Sequence, residues 1–154
     1  MKPEVLLRDV QPDDLPILFE HQRDPVAVAL VVFRSRERAE FDAHWAKILA
    51  DDTCLKKTIV ADGKVAGHIG SFWRDGKREV GYWIDRALWA RGIMSQALPA
   101  FLRLEPQRPL YAGVAAHNLA SLRLLQKCGF ILCENATDEE SESANESHLL
   151  LRLE

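Results

Sequence analysis

The chain has 154 residues, a length that suits one domain with a sizeable core. Hydrophobic residues make up 47% and charged residues 28%, as in an ordinary water-soluble globular protein. With 20 Lys and Arg against 23 Asp and Glu the net charge is −3, which offers no basic footprint for nucleic acid.

Val5–Arg8 reads as a short strand. Asp13 or Asp14 starts a helix to Arg23, with Leu15, Leu18, Phe19 and Gln22 at helical spacing. Asp24-Pro25 breaks it, and an apolar run from Val26 to Phe33 follows, far too short to span a bilayer. Ser35 is placed to cap a second helix to about Ala50, whose buried face is predicted at Phe41, Trp45, Ile48 and Leu49. Lys57–Ala61, Val65–Trp73 and Arg78–Ile84 read as three consecutive strands joined by hairpin turns at Asp62-Gly63 and Arg74-Asp75-Gly76-Lys77.

Next comes the most informative stretch, Trp89-Ala90-Arg91-Gly92-Ile93-Met94-Ser95-Gln96-Ala97-Leu98. It leaves a strand, turns through glycine and opens a helix from Ile93 to Leu102. The first turn of a helix carries unpaired N–H groups and the positive end of the dipole, so this junction is a ready anion site. Gly92 lets the backbone approach an anion, and Arg91 adds charge beside it. Pro99 removes one helical hydrogen bond, which predicts a kink or an early end. Leu110–Ala115 reads as a strand. The stretch from His117 to Phe130 reads as a helix capped by Asn118, with an apolar stripe at Leu122, Leu124 and Leu125 and a left-handed Gly129 after it. Phe130–Glu134 and Ser147–Leu153 are the last two strands, separated by a polar, acidic segment, 135–146.

The Trp89–Leu98 segment resembles motif A of the GNAT superfamily of N-acetyltransferases. It is most like the branch containing the ribosomal-protein alanine acetyltransferases, matching at Trp89, Arg91, Gly92, Met94, Ser95 and Ala97. It departs at Ala90, where that branch usually has glycine, and at Gln96, usually glutamate. A positive φ at position 90 would strain an alanine. The Asn118–Phe130 segment resembles motif B, one strand downstream, as the superfamily has it.

The resemblance implies a single N-acetyltransferase domain over residues 1–154 with an α/β (α+β) fold. The sheet is expected to be mixed and twisted, with six to seven strands, helices on both faces and strands 4 and 5 splayed. It implies an N-acetyltransferase that moves an acetyl group from acetyl-coenzyme A to a primary amine by direct attack. The amine belongs to a protein N-terminus or a small molecule; the alternative is a non-catalytic acyl-coenzyme A sensor or scaffold. The expected cofactor contacts are Tyr82, Trp83 and Ile84 for the pantetheine amides, Trp89, Ala90, Arg91, Gly92, Ile93, Met94 and Ser95 for the diphosphate, and Asn118 for the pantetheine arm.

The expected base is Glu79, with His68 and His117 as alternatives. The expected acid is Ser121, because the motif B position that often holds tyrosine is Leu125. The apolar run 26–33 and the acidic stretch Asp138-Glu139-Glu140-Ser141-Glu142 are candidates to face the acceptor. Trp73 or the apolar run offers a possible homodimer edge. No metal is expected, since Cys54, Cys128 and Cys133 show no paired spacing. Met1-Lys2-Pro3-Glu4-Val5 lacks the apolar core of a secretion signal, so a cytoplasmic location is expected, without membrane or nucleic-acid partners.

Overall fold

The computed structural model describes residues 2–29, 36–137 and 148–154. Seven strands form one mixed sheet in the order β1-β2-β3-β4-β5-β7-β6, where β1 is Val5–Asp9, β2 Leu55–Ala61, β3 Lys64–Arg74, β4 Lys77–Ile84, β5 Leu110–Ala115, β6 Ile131–Thr137 and β7 His148–Leu153. The helices are α1 (Leu15–Gln22), α2 (Pro25–Ala29), α3 (Arg38–Ala50), α4 (Ile93–Leu104) and α5 (Leu119–Lys127). The fold is the expected mixed α/β sheet with helices on both faces.

Both hairpins form as the turn chemistry requires. Asp62 and Gly63 have φ of 49° and 79°, Asp75 and Gly76 have 50° and 77°, the paired left-handed conformation of a two-residue turn that matches strand twist. Adjacent residues of β3 separate the two faces. His68 meets Trp45 of α3 edge-on at 5.0 Å, while Ile69 belongs to the main core with Ala97, Leu98 and Phe101 of α4. A smaller cluster, Leu18, Phe19, Phe41 and Trp45, joins α1 and α3 on the other face.

Three local expectations change. Leu49 is 46% exposed, so the buried face of α3 is narrower than its apolar pattern. The helix α4 runs through Pro99 to Leu104, held by the burial of Ala97, Leu98 and Phe101. The apolar run resolves into helix at Pro25–Ala29; its remainder at 30–33, the Ser35 cap and the acidic stretch 138–142 lie outside the described residues. After α5, Phe130 N–H donates to Leu125 O and Gly129 N–H to Gln126 O, with Gly129 at φ 98°. That is the left-handed stop read from Gly129-Phe130, and Phe130 is buried.

The sheet opens in its middle. β4 pairs with β3 along its whole length, but with its parallel neighbour β5 only at Arg78↔Leu110 and Glu79↔Tyr111. Beyond those two rungs β4 runs on to Ile84 and β5 to Ala115 without pairing, so the strands splay. A buried cluster fixes the closed end: Arg78 Nε lies 2.5 Å from Glu105 Oε1, Ser71 Oγ donates to the same oxygen at 2.6 Å, and Arg78 Nη2 donates to Ser71 Oγ at 3.1 Å. This ties the end of α4 to β3 and β4.

Candidate functional site

A cavity of about 440 Å³ fills the wedge where β4 and β5 part. Tyr82, Trp83 and Ile84 of β4 form one wall, and Asn118, Ala120, Ser121 and Leu124 from the start of α5 form the other. The turn after β4 closes its end with Leu88, Trp89, Ala90, Gly92, Ile93, Met94 and Ser95, and Ala27 of α2 borders it. An unpaired strand edge offers backbone donors and acceptors to an extended ligand, much as an added strand would take them.

The turn is built for an anion. Asp85 Oδ1 accepts from Ala87 N–H at 3.2 Å and shapes a short 3-10 turn at Arg86–Leu88. Trp89 donates its indole N–H back to Ile84 O at 3.1 Å, which clamps the loop to the strand. Ala90 and Gly92 then take φ of 61° and 76°, on either side of Arg91. The anticipated strain at Ala90 is therefore present: an alanine holds a left-handed conformation that glycine adopts without cost. Among the described residues, the N–H groups of Ala90, Arg91 and Gly92 donate to no backbone group, and the first turn of α4 adds its own free donors. Trp89 is different: its N–H is already donated to Arg86 O at 3.1 Å, so the run of free donors begins one residue later than expected. Arg86 also pairs with Asp24 at 2.7 Å, and Asp24 caps α2 through Val26 N–H, so one carboxylate fixes both the loop and the helix that carries Ala27.

Arg91 does not line the wedge. It lines a second basin of about 890 Å³ with Lys2 and Lys64, and this basin shares Leu88, Ala90, Gly92 and Ile93 with the wedge cavity. Among the described residues these three cations make no ion pair, although Asp62 also borders the basin.

Around the wedge, Asn118 Oδ1 accepts from Ser121 N–H at 3.4 Å, so the residue caps α5 while its amide lines the cavity. Ser121 Oγ lies 2.5 Å from the Tyr82 hydroxyl. Burial pushes the Tyr82 phenol up to about 12, with the Ser121 hydrogen bond opposing the shift. Trp83 donates its indole N–H to His21 O at 3.3 Å.

Glu79 is not brought to this cavity. It lies at the paired end of β4, buried, and its carboxylate accepts from Arg74 Nε at 2.7 Å and Nη2 at 3.1 Å. A carboxylate held by a guanidinium is a weak base, and here it does not line the wedge. Neither alternative base lines the cavity. His68 packs against Trp45 with a buried Nδ1 that has no partner among the described residues, and burial lowers its basicity well below the ordinary range. His117 is exposed and its Nε2 lies 3.1 Å from Ala29 O. Ser121 and the cofactor-contact residues other than Arg91 do converge on the wedge. The hydroxyl of Tyr82, as distinct from its backbone, is a feature sequence reading missed. No local pattern in the sequence signals it, since Tyr82 and Ser121 lie 39 residues apart.

The family model of the acetyltransferase (GNAT) domain matches residues 4–131. The chain belongs to the GNAT acetyltransferases. Solved GNAT structures share the fold at low identity. An N-acetyltransferase from Staphylococcus aureus Mu50 is 20% identical with a TM-score of 0.78, the match covering 98% of each chain. The spermidine N-acetyltransferase from Vibrio cholerae in complex with CoA and spermine is 15% identical with a TM-score of 0.79, covering 97% of this chain and 94% of that one. RimL, the ribosomal L7/L12 alpha-N-protein acetyltransferase in complex with coenzyme A, is 16% identical with a TM-score of 0.76, covering 96% and 92%. No curated protein matches the sequence. Among the described residues, no group of three or more His, Cys, Asp or Glu could hold a metal ion, and no helix is long and apolar enough to cross a membrane.

Proposed function

We propose that this GNAT domain transfers the acetyl group of acetyl-coenzyme A to a primary amine, by direct attack of the amine on the thioester. The observation that carries the reading is the pair of left-handed residues, Ala90 and Gly92, that line the mouth of the β4–β5 wedge beside N–H groups that donate to no backbone group among the described residues. Ala90, Gly92, Ile93, Met94 and Ser95 would hold the diphosphate, with Arg91 adding charge from the adjoining basin. The free edge of β4 at Tyr82–Ile84 and the Asn118 amide would hold the pantetheine arm, and Ser121 would hydrogen-bond the departing sulfur. Two neighbours in fold are titled as complexes with coenzyme A, which supports the cofactor.

The cavity lining favours an acceptor of low basicity. Among the described residues it contains no carboxylate, imidazole or ammonium group. An α-amine with a pKa of about 7.7–8.0 is neutralised at pH 7 for about 1.4 kcal/mol, whereas a lysine amine near 10.4 needs roughly 4.6 kcal/mol. Water can carry off the first proton without a side-chain base. The favoured acceptor is therefore a protein N-terminus or a weakly basic small-molecule amine. A cytoplasmic site of action fits Cys54, Cys128 and Cys133, all of which are free thiols.

A second reading has one observation behind it. Leu125 is buried in the core where many relatives place a tyrosine hydroxyl, as a sensor or scaffold without turnover would allow. The test is release of free thiol from acetyl-coenzyme A over a panel of free-N-terminal peptides, lysine peptides and small amines, beside calorimetry with coenzyme A. Turnover with an α-amine supports transfer. Binding without turnover on any amine supports the sensor, and no binding at all removes both.

A further inference from the structure

Two hydroxyls meet inside the wedge at 2.5 Å: Tyr82 from β4, and Ser121 from the first turn of α5. They come from opposite walls of the cavity, 39 residues apart in the chain, and both line it. Each hydroxyl is one donor and also an acceptor, so the contact uses only part of what either oxygen can do. Ser121 is additionally placed by its backbone N–H, which donates to Asn118 Oδ1, the cap of α5. The pair is thus held on two rigid elements and opens onto the space where acyl transfer would take place.

Acetyl transfer to an amine has a simple proton balance. A bond forms between the amine nitrogen and the thioester carbonyl carbon. The carbon–sulfur bond breaks and its electron pair stays on sulfur. Nitrogen must lose one proton and sulfur must gain one. We propose that Tyr82 and Ser121 form a hydroxyl relay that moves this proton from the attacking nitrogen to the departing sulfur. Tyr82 oxygen accepts the N–H proton while its own proton passes to Ser121 oxygen, and the Ser121 proton passes to sulfur. Each oxygen gives one proton and receives one, so no charge remains on either and no further reactant is required. The inference rests on the acetyl-transfer reading above.

The arrangement also suits a half-buried phenol with a raised pKa. Like any phenol Tyr82 is protonated throughout the neutral range, and burial pushes its pKa up further, to about 12. As an acid that must ionise, such a phenol would be poor, because it would give its proton to a far less basic thiolate. As a relay it never ionises, and its high pKa does no harm. The relay supplies from the strand the hydroxyl that the buried Leu125 cannot supply from the helix.

The experiment is single-turnover acetylation of the best amine in the panel, in light and heavy water. It compares the wild type with Tyr82→Phe, Ser121→Ala, the double variant and Ser121→Thr, with coenzyme A affinity measured for each by calorimetry. The relay predicts that Tyr82→Phe and Ser121→Ala each slow the transfer step about 100-fold, and that the double variant slows it little further, since a relay cut once is cut. It also predicts unchanged coenzyme A affinity in Tyr82→Phe, loss of the wild-type solvent deuterium effect in both single variants, and substantial recovery in Ser121→Thr. Two results would overturn it with acetyl transfer intact: a Tyr82→Phe enzyme at wild-type rate, or slowed variants that keep the full deuterium effect. A wild type that binds coenzyme A but acetylates nothing would remove acetyl transfer itself, and the relay with it.

Discussion

Ala90→Gly tests whether the loop geometry is what matters at the candidate site. Ala90 holds φ 61° between a clamped Trp89 and the left-handed Gly92. The left-handed conformation costs an L-residue about 1–2 kcal/mol. Glycine removes that cost but loses about 0.5–1 kcal/mol through the greater freedom of the unfolded chain. Ala90 is exposed, so deleting its methyl sacrifices no buried contact. The balance favours the variant by about 0.5–1 kcal/mol, equivalent to roughly 1–4 °C in Tm for a chain of this size. Thermal and urea unfolding should both show the gain. Because the substitution leaves the N–H directions in place, coenzyme A affinity by calorimetry should stay within about 3-fold, or 0.7 kcal/mol. The mirror substitution, Gly92→Ala at φ 76°, should destabilise instead, since its added methyl meets open space except for the Lys2 side chain at 3.9 Å and only the backbone suffers. An Ala90→Gly chain that is less stable and binds coenzyme A much more weakly would refute the reasoning.

Three further outcomes follow from particular contacts. Glu79→Gln should leave the transfer rate within about 3-fold, far below the loss from removing a general base, while lowering stability by about 1–2 kcal/mol through the pair with half-exposed Arg74; a collapse in rate at unchanged stability would return Glu79 to the chemistry. Glu105→Gln leaves Arg78 buried with a weaker partner, and urea unfolding should show a loss of about 3 kcal/mol with an unchanged m-value. The pH dependence follows from His21, His44 and His68, all held below the usual imidazole range, first of all by burial. Well above pH 6.5 they are neutral in both states and contribute no slope; as pH falls through 6.5 the unfolded chain takes up protons that the folded chain refuses. Stability should then fall by up to about 1.4 kcal/mol per pH unit for each histidine. Urea unfolding at pH 7.5, 6.5 and 5.5 checks this, and a flat profile down to pH 5.5 would contradict it.

What was legible in the sequence was whatever is governed by local backbone chemistry. Asp62-Gly63 and the Asp75-Gly76 centre of the second turn announce hairpins; the register of β3 and β4 follows from the second, while that of β2 and β3 follows from the first only as far as Val60, where a bulge shifts it. Gly129-Phe130 announces the end of α5 in the same way. The phosphate-type loop was readable because a strand, a glycine and a helix start are consecutive in the chain. The early end that Pro99 allowed does not occur, because tertiary burial of Ala97, Leu98 and Phe101 outweighs one missing hydrogen bond. The Tyr82–Ser121 contact was hidden for a different reason: it depends on how far β4 and β5 splay, and no local pattern encodes that gap.

Glu79 shows how much further the local rules reach when applied across strands. Side chains alternate along β4, so Glu79 shares a face with Gly81 and Trp83, opposite to that of Tyr82. At about 3.3 Å per residue it also lies roughly 10 Å along the strand from Tyr82, back where β4 and β5 still pair. The hairpin at Asp75-Gly76 pairs Arg74 with Lys77 and Phe72 with Glu79, which makes Arg74 and Glu79 diagonal neighbours on one face. The partner was therefore computable from the turn alone, and it was neither Arg78 nor Lys77, the nearest cations in sequence. A carboxylate whose diagonal neighbour is arginine starts as half of an ion pair, and calling it a base requires a cavity to reach it. In this protein the cavity begins only past Glu79, where the rungs between β4 and β5 stop, and the first polar side chain it meets on that strand is the phenol of Tyr82.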